Sequence, residues 1–316
     1  MKLMELVRRR LRELRYSRRT EEAYVQWIRR FIEFHDRRHP IEIGAPEVVE
    51  FLSWLAVEQK VAQSTQKQAQ SALIFLYDRV LERPLPPLEG IAATGGSGPV
   101  PTVLSVREIR ALFRELAPLP RLCAGLMYGS GLRISECISV RVKDIDFDRH
   151  AIIVRDGKGG KDRRAPLGVH DADAIQLHLE GVREQFDEDM RRGIRTTMPF
   201  GALDRKLPNA DRDWRWRYLF PSSRTVVDAD GVRRRHHLDA TVLQRAVPAA
   251  ALRAGLTKRV TCHTLRHSFA THVLEQGVDI RRLQEAMGHT DVRTTQRYTH
   301  VTDRGGAGVP SPTDRL

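Results

Sequence analysis

The chain has 316 residues, 41% of them hydrophobic, and a formal net charge of +13 at a pI near 10.2. That length is enough for two domains, each with its own core, and the apolar fraction excludes a disordered chain. No apolar run approaches the roughly 20 residues that span a bilayer, and the N-terminus lacks the apolar core of a signal peptide. We therefore expect no membrane segment and a cytoplasmic location.

The positive charge predicts a polyanionic partner, because each neutralised phosphate releases a condensed counterion. Arginine clusters supply much of this charge, at residues 8–10, 18–19, 29–30 and 233–235. A solvated basic surface would have the same composition, so charge alone favours nucleic-acid binding without establishing it.

Helical periodicity predicts a small bundle over residues 1–83. Its apolar positions form one stripe opposite basic residues, in patterns that begin near Ser17, Pro46 and Ser64. Such helices suit a DNA-binding domain, although they would equally suit another helical interaction module. Residues 84–103 are rich in Gly and Pro and are predicted to be an interdomain linker.

Residues 104–316 predict a mixed α/β domain, so the fold class is α+β with two domains. Ser105 and Glu108 form a capping box, and the next helical pattern ends at Gly129-Ser130-Gly131. Strand-like runs at residues 152–154 and 163–167 flank a Gly-rich stretch and predict a β-hairpin with a basic tip. Helical patterns cover residues 171–192 and continue from residue 238, whereas residues 193–237 look like an irregular, polar and aromatic insertion.

Six residues in a fixed order suit phosphodiester chemistry. They are Arg133, Lys158, His263, Arg266, His289 and Tyr298. Each one alone has an ordinary explanation, such as a surface arginine or a core tyrosine. Together, two guanidiniums can clamp the phosphate oxygens and histidines can donate to them, while a tyrosine oxygen attacks and a lysine protonates the leaving oxygen. This set needs neither metal nor cofactor, because the cations do the work that metal ions do elsewhere.

With these residues the chain resembles the tyrosine recombinase family, which includes phage integrases and Xer recombinases. The resemblance covers nearly the whole chain and is strongest at residues 263–272, 287–290 and 294–301. It implies that Arg133 and Arg266 clamp the phosphate and that His263 accepts the proton of Tyr298. It further implies that Lys158 is the general acid and that His289 is another phosphate donor. A C-shaped clamp around DNA and a homo-tetramer on two sites are implied as well.

The insertion resembles the segment that distinguishes integron integrases from other members of this family. Those enzymes recombine a double-stranded attachment site with a folded single-stranded one, and the resemblance nominates contacts to extrahelical bases or phosphates. The candidates are Trp214, Trp216, His236, His237, Arg205 and Lys206. A packed aromatic loop is the alternative, because alternation over residues 214–220 would place their aromatic rings on one strand face. Arg217, where Gln is frequent in this group, is expected to alter base contacts.

Several alternatives remain open from the sequence. A zinc site at His263 and His267 is disfavoured, because the Glu of a His-Glu-x-x-His motif and a third ligand are missing. The three cysteines are scattered and predict buried thiols. Alternative functions are those of a duplex-specific phage-type or Xer-type recombinase, a topoisomerase-like enzyme, and a non-catalytic architectural DNA-binding protein.

Overall fold

A computed structural model describes residues 3–14, 16–92, 101–155, 162–198, 207, 209–228 and 230–288. The chain divides into two compact units, residues 1–99 and 100–316. The first is helical, and the second combines helices with two small sheets, so the predicted fold class is confirmed. Within the described residues, no helix is both long and apolar enough to cross a membrane.

The described part of the first unit contains four amphipathic helices. They are α1 (Leu3–Glu13), α2 (Arg18–Phe34), α3 (Ala45–Val57) and α4 (Gln63–Phe75), the last continuing as one π-helical turn, Leu76–Val80. Ser17 caps α2 by accepting a hydrogen bond from the Thr20 amide at 3.1 Å, as predicted. Pro46 lies in the first turn of α3, also as predicted. Helix α4 begins before Ser64, which was the predicted start.

Residues 84–92 form neither helix nor strand and pack against the helices of this first unit. Leu85, Leu88 and Ile91 contact its buried core. The Gln66 side chain donates to the Ala92 carbonyl at 2.9 Å, and the Ala92 amide donates to Ser53 Oγ at 3.2 Å. The first part of the predicted linker is therefore anchored to the helical unit.

The second unit surrounds one large hydrophobic core. Its helices are α5 (Val106–Arg114), α6 (Pro118–Gly129), α7 (Ile134–Ser139), α8 (Val169–Arg191), α9 (Ala240–Arg253), α10 (Cys262–Glu275) and α11 (Ile280–Met287). The predicted capping box begins α5, with Ser105 and Glu108 satisfying each other's backbone amides. All three cysteines are free and buried, as predicted.

The first sheet contains the predicted hairpin. Strands β1 (Ile145–Asp146), β2 (Ala151–Val154) and β3 (Arg163–Pro166) are antiparallel in that order. Val154 pairs with Arg163, so these two residues close the described part of the hairpin. Its tip, residues 156–161, lies outside the described residues.

The insertion is more regular than its sequence suggested. It forms a second sheet from β4 (Arg195–Thr196), β5 (Pro221–Val227) and β6 (Arg233–His237), with β6 in the centre. The prediction of an irregular segment was wrong for the strands of this sheet. Arg235 of β6 pairs with Asp189 of α8, a contact between residues distant in sequence that local periodicity cannot reveal. The suggested strand over residues 214–220 was also wrong, since Trp214–Trp216 forms a 3₁₀ turn capped by Asp213.

Candidate active site

Arg133 lies immediately before α7 and caps that helix together with Glu136. The Arg133 amide donates to Glu136 Oε2 at 2.8 Å, and its guanidinium donates to Oε1 at 2.7 Å. The side chain remains 24% exposed. The backbone of Arg133 is fixed and its guanidinium is partly exposed, which suits a residue that must bind the phosphate of an incoming DNA strand.

Arg266 lies on α10 and is almost fully buried, at 4% exposure. Its guanidinium donates to the Gly131 carbonyl and, at 2.6 Å, to the Met287 carbonyl. Gly131 has a φ of +63°, and a Cβ there would meet the Phe269 ring at 2.5 Å. Glycine is therefore required where the chain turns to present its carbonyl to Arg266 and then continues to Arg133.

Glu136 lies among three arginines and had no predicted role. Besides Arg133, it accepts hydrogen bonds from Arg163 at 3.0 and 2.7 Å, and its carboxylate is 3.7 Å from Arg266 Nη1. Burial alone would raise the pKa of Glu136, but the bonds from Arg163 and the Arg133 amide and the adjacent cations lower it to about 2. Glu136 therefore stays charged and holds both predicted clamp residues in place. Its spacing of three residues from Arg133 was the available signal.

His263 lies on the first turn of α10 with its side chain exposed. The protein around its ring removes part of its hydration, and the Arg266 and Arg133 charges disfavour a second proton, so its pKa is lowered. A neutral ring can accept a proton, which fits the expected role. His267, one turn on, is half-buried, and burial followed by His263 and Arg266 lowers its pKa to about 4.

The remaining predicted members of the set lie outside the described residues. They are Lys158, His289 and Tyr298. The insertion candidates Arg205 and Lys206 also lie outside the described residues. The described structure brings Arg133, His263 and Arg266 together. It also holds the strands that flank Lys158 and the turn at Gly288 that precedes His289.

One connection between the insertion and the rest of the unit is made by Arg141, which sequence reasoning did not single out. This buried arginine donates to the Thr197 carbonyl and the Tyr218 hydroxyl, both at 2.9 Å, and to the Trp216 carbonyl. Its guanidinium lies 4.1 Å from the centre of the Tyr218 ring. The Trp214–Trp216 turn is therefore held against the segment that follows α7.

The two tryptophan candidates are half-buried and differ in surroundings. Trp214 meets Phe186 edge-on, with ring centres 5.4 Å apart, and lies beside Arg183. Trp216 has the Lys143 ammonium 4.4 Å from its ring centre and lines a cavity of about 730 Å³. The other lining residues include Lys143, Leu207, Asn209, Ala210, Arg212, Asp213 and Arg215.

The histidine candidates also differ. His237 is engaged, because its Nδ1 is 2.7 Å from the Leu238 carbonyl and its ring meets Tyr218 edge-on. His236 is half-buried, and burial lowers its pKa.

The expectation that Arg217 alters base contacts is contradicted. Its side chain is fully buried and pairs with Asp189 at 2.5 Å. A buried guanidinium with a carboxylate partner cannot reach a base without unfolding its surroundings.

Comparison with known proteins supports, over nearly the whole chain, the family that the sequence resembles. The Phage integrase family matches residues 103–304, and the phage integrase N-terminal SAM-like domain matches residues 3–87. An integrase/recombinase of Escherichia coli is 46% identical over 317 residues, covering 100% of this chain and 94% of the relative. The tyrosine recombinase XerA of Thermococcus kodakarensis is 30% identical over 293 residues, covering 90% and 86%.

Solved structures share the fold at low identity. The XerH site-specific recombinase bound to its palindromic difH substrate has a TM-score of 0.62 at 21% identity, covering 89% of this chain and 76% of that one. The Tn1549 transposon integrase in complex with transposon right-end DNA has a TM-score of 0.64 at 17% identity, covering 99% and 96%. The family match and the full-length relatives show that this chain belongs to the tyrosine recombinases of the phage integrase family, site-specific recombinases that use a catalytic tyrosine.

Proposed function

We propose that this recombinase is an integron-type integrase, which joins gene cassettes at double-stranded sites and at folded single-stranded hairpins. It would act on cytoplasmic DNA in a bacterium, as a homo-tetramer on two sites. The observation that carries the proposal is the cavity beside Trp216 in the insertion. Its volume of about 730 Å³ lies within the range of roughly 300–1,000 Å³ that is common for ligand pockets.

The lining of this cavity suits an unpaired base. Trp216 offers an aromatic ring, and Lys143, Arg212 and Arg215 place three cations beside it. Arg215 pairs with Asp213 at 2.6 Å and Lys143 with Asp144 at 3.0 Å, so an incoming phosphate would have to compete with these two carboxylates. Stacking on aromatic rings beside basic side chains is how proteins hold single-stranded nucleic acid, and it tolerates different bases. Trp214 and His236 are further candidates for such contacts, whereas His237 is already engaged within the fold.

The proposed chemistry uses the six-residue set. The Tyr298 oxygen attacks the phosphorus and its proton passes to His263, while the P–O bond to the 5′ oxygen breaks and Lys158 protonates that oxygen. Arg133, Arg266 and His289 stabilise the charge on the phosphate oxygens. The products are a 3′-phosphotyrosine and a 5′ hydroxyl, and a 5′ hydroxyl of the partner site then attacks the phosphotyrosine and releases Tyr298.

Covalent capture of DNA tests this proposal. The full chain is incubated with a genomic fragment library and denatured, and the DNA attached to protein is recovered and sequenced. The captured site is then made as a perfect duplex and as a folded single strand with bulged bases. We expect Tyr298-dependent capture, absent in Tyr298→Phe, with the hairpin captured more efficiently than the duplex.

The Trp216→Ala variant separates the insertion from the chemistry. We expect it to lower capture of the hairpin by about tenfold, because stacking contributes roughly 1–3 kcal/mol per base. Capture of the duplex serves as the control and should not change. Equal or better capture of the duplex by the wild-type protein would contradict the single-strand preference and favour a phage-type or Xer-type recombinase. Loss on both forms in Trp216→Ala would make the ring structural.

A further inference from the structure

Arg163 connects three parts of the candidate active site. It is the first residue of β3, on the hairpin that carries Lys158, and its side chain is only 8% exposed. Two of its nitrogens bind the two Glu136 oxygens, at 3.0 and 2.7 Å. Its Nε donates to the Ala286 carbonyl in the last turn of α11 at 2.8 Å. The planar guanidinium can make these contacts simultaneously because its donors form a fixed fork.

The turn that ends α11 is shaped around Arg163. Gly288 has a φ of +62°, and a Cβ at that position would lie 2.9 Å from Arg163 Cδ and 3.1 Å from its Nε. Arg266 binds the adjacent carbonyl of Met287 at 2.6 Å. Two arginines that share Glu136 thus cap the helix end from which the chain continues to His289 and Tyr298.

We propose that Arg163 is a positioning residue for strand cleavage: by joining Glu136 to the end of α11, it aligns Arg133 and Arg266 with the chain that leads to Tyr298. The inference rests on the proposed roles of those residues. Arg163 itself need not touch DNA, because each of its three nitrogens already donates to Glu136 or Ala286. Small displacements of groups that must meet in a transition state cost rate rather than affinity.

Arg164 provides a matched control on the same strand. Successive strand residues point to opposite faces, and Arg164 is exposed whereas Arg163 is largely covered. Replacing either arginine by Gln removes one positive charge from neighbouring positions of the same strand. Of the two, only Arg163→Gln removes the hydrogen bonds that join β3 to Glu136 and to α11.

The experiment measures covalent-complex formation on the captured DNA in a single turnover, with the full-length protein in saturating excess. DNA affinity and urea unfolding are measured for the same variants. Arg163→Gln should lower the saturated rate on the order of 10- to 100-fold with Kd unchanged. Arg164→Gln should leave that rate as it is. Arg163→Lys keeps the charge but lacks the fork, so it should recover little of the loss.

Each outcome either supports or contradicts the positioning role of Arg163. A wild-type rate in Arg163→Gln, full rescue by Arg163→Lys, or a loss confined to Kd would overturn the inference. Failure of both Arg163 variants to fold would make the residue structural and overturn it as well. If the wild-type protein forms no Tyr298-dependent complex, the proposed site itself is wrong. If that complex forms and Arg163→Gln is equally fast, only the positioning role is wrong.

Discussion

His263 and Arg266 share the first turns of α10 but meet different environments. The guanidinium of Arg266 is buried and bound to two backbone carbonyls, whereas the imidazole of His263 is exposed. Partial loss of hydration and the charges of Arg266 and Arg133 lower the pKa of His263. One residue therefore supplies a fixed positive charge and the other a neutral proton acceptor.

This difference predicts where strand cleavage fails in acid. A proton acceptor works only when unprotonated, so the rate should fall as the pH drops through the pKa of His263. Because that pKa is lowered, the fall should occur below the ordinary histidine value of about 6.5. The measurement is the pH profile of covalent capture at subsaturating DNA, which reports the free protein.

The control for this profile is His263→Asn, which keeps a polar side chain without a group that titrates in this range. Its residual rate should be low and should show no acid limb from this position. An acid limb of the wild-type protein centred above about 6.5 would contradict the predicted proton acceptor.

At the scale of elements, the insertion depends on one carboxylate of α8. Asp189 is 1% exposed and binds Arg217 at 2.5 Å and Arg235 at 2.6 Å, so it joins α8 to the segment after the Trp214–Trp216 turn and to β6. Burial alone would raise the pKa of Asp189, but the bonds from Arg235 and Arg217 lower it. The carboxylate therefore remains charged between its two cationic partners.

Asp189→Asn should destabilise this module strongly. The change leaves two buried guanidiniums without a countercharge, which typically costs about 3–5 kcal/mol. Urea unfolding followed by tryptophan fluorescence measures the loss. Asp187→Asn is the matched control on the same helix, because Asp187 pairs with Arg183 at the surface, where such pairs contribute about 0.3–0.5 kcal/mol. Equal losses in the two variants would contradict the role of Asp189.

For the whole molecule, the net charge of +13 predicts how DNA binding responds to salt. If about 6–10 phosphates are neutralised, affinity should fall by about 10³–10⁵ between roughly 50 and 200 mM salt. Fluorescence anisotropy with a labelled duplex measures this dependence. Replacing Arg233, an exposed residue of β6, by Gln should reduce the slope by no more than about one phosphate contact. An affinity independent of salt would show that the charge is not used on DNA.

Local patterns were enough to predict most helices and the hairpin. Ser17, Ser105 and Glu108 act through hydrogen bonds to their own neighbours, so their sequence spacing is itself the signal. The sheet of the insertion could not be predicted in this way. Its β6 is unusually basic for a strand, and the carboxylate that pairs with its buried Arg235 belongs to Asp189, a residue distant in sequence.

The sequence by itself was enough to nominate the catalytic set of Arg133, Lys158, His263, Arg266, His289 and Tyr298, because the order and spacing of these residues are readable without any fold. The set stays a prediction, since Lys158, His289 and Tyr298 lie outside the described residues. Only the tertiary structure distinguished arginines that look alike in sequence. Arg217 is buried against Asp189, Arg141 holds the insertion, and Arg163 joins Glu136 to the end of α11. The reason is physical: the role of a cation depends on which carboxylate or carbonyl meets it in space, and those partners lie up to 123 residues away along the chain.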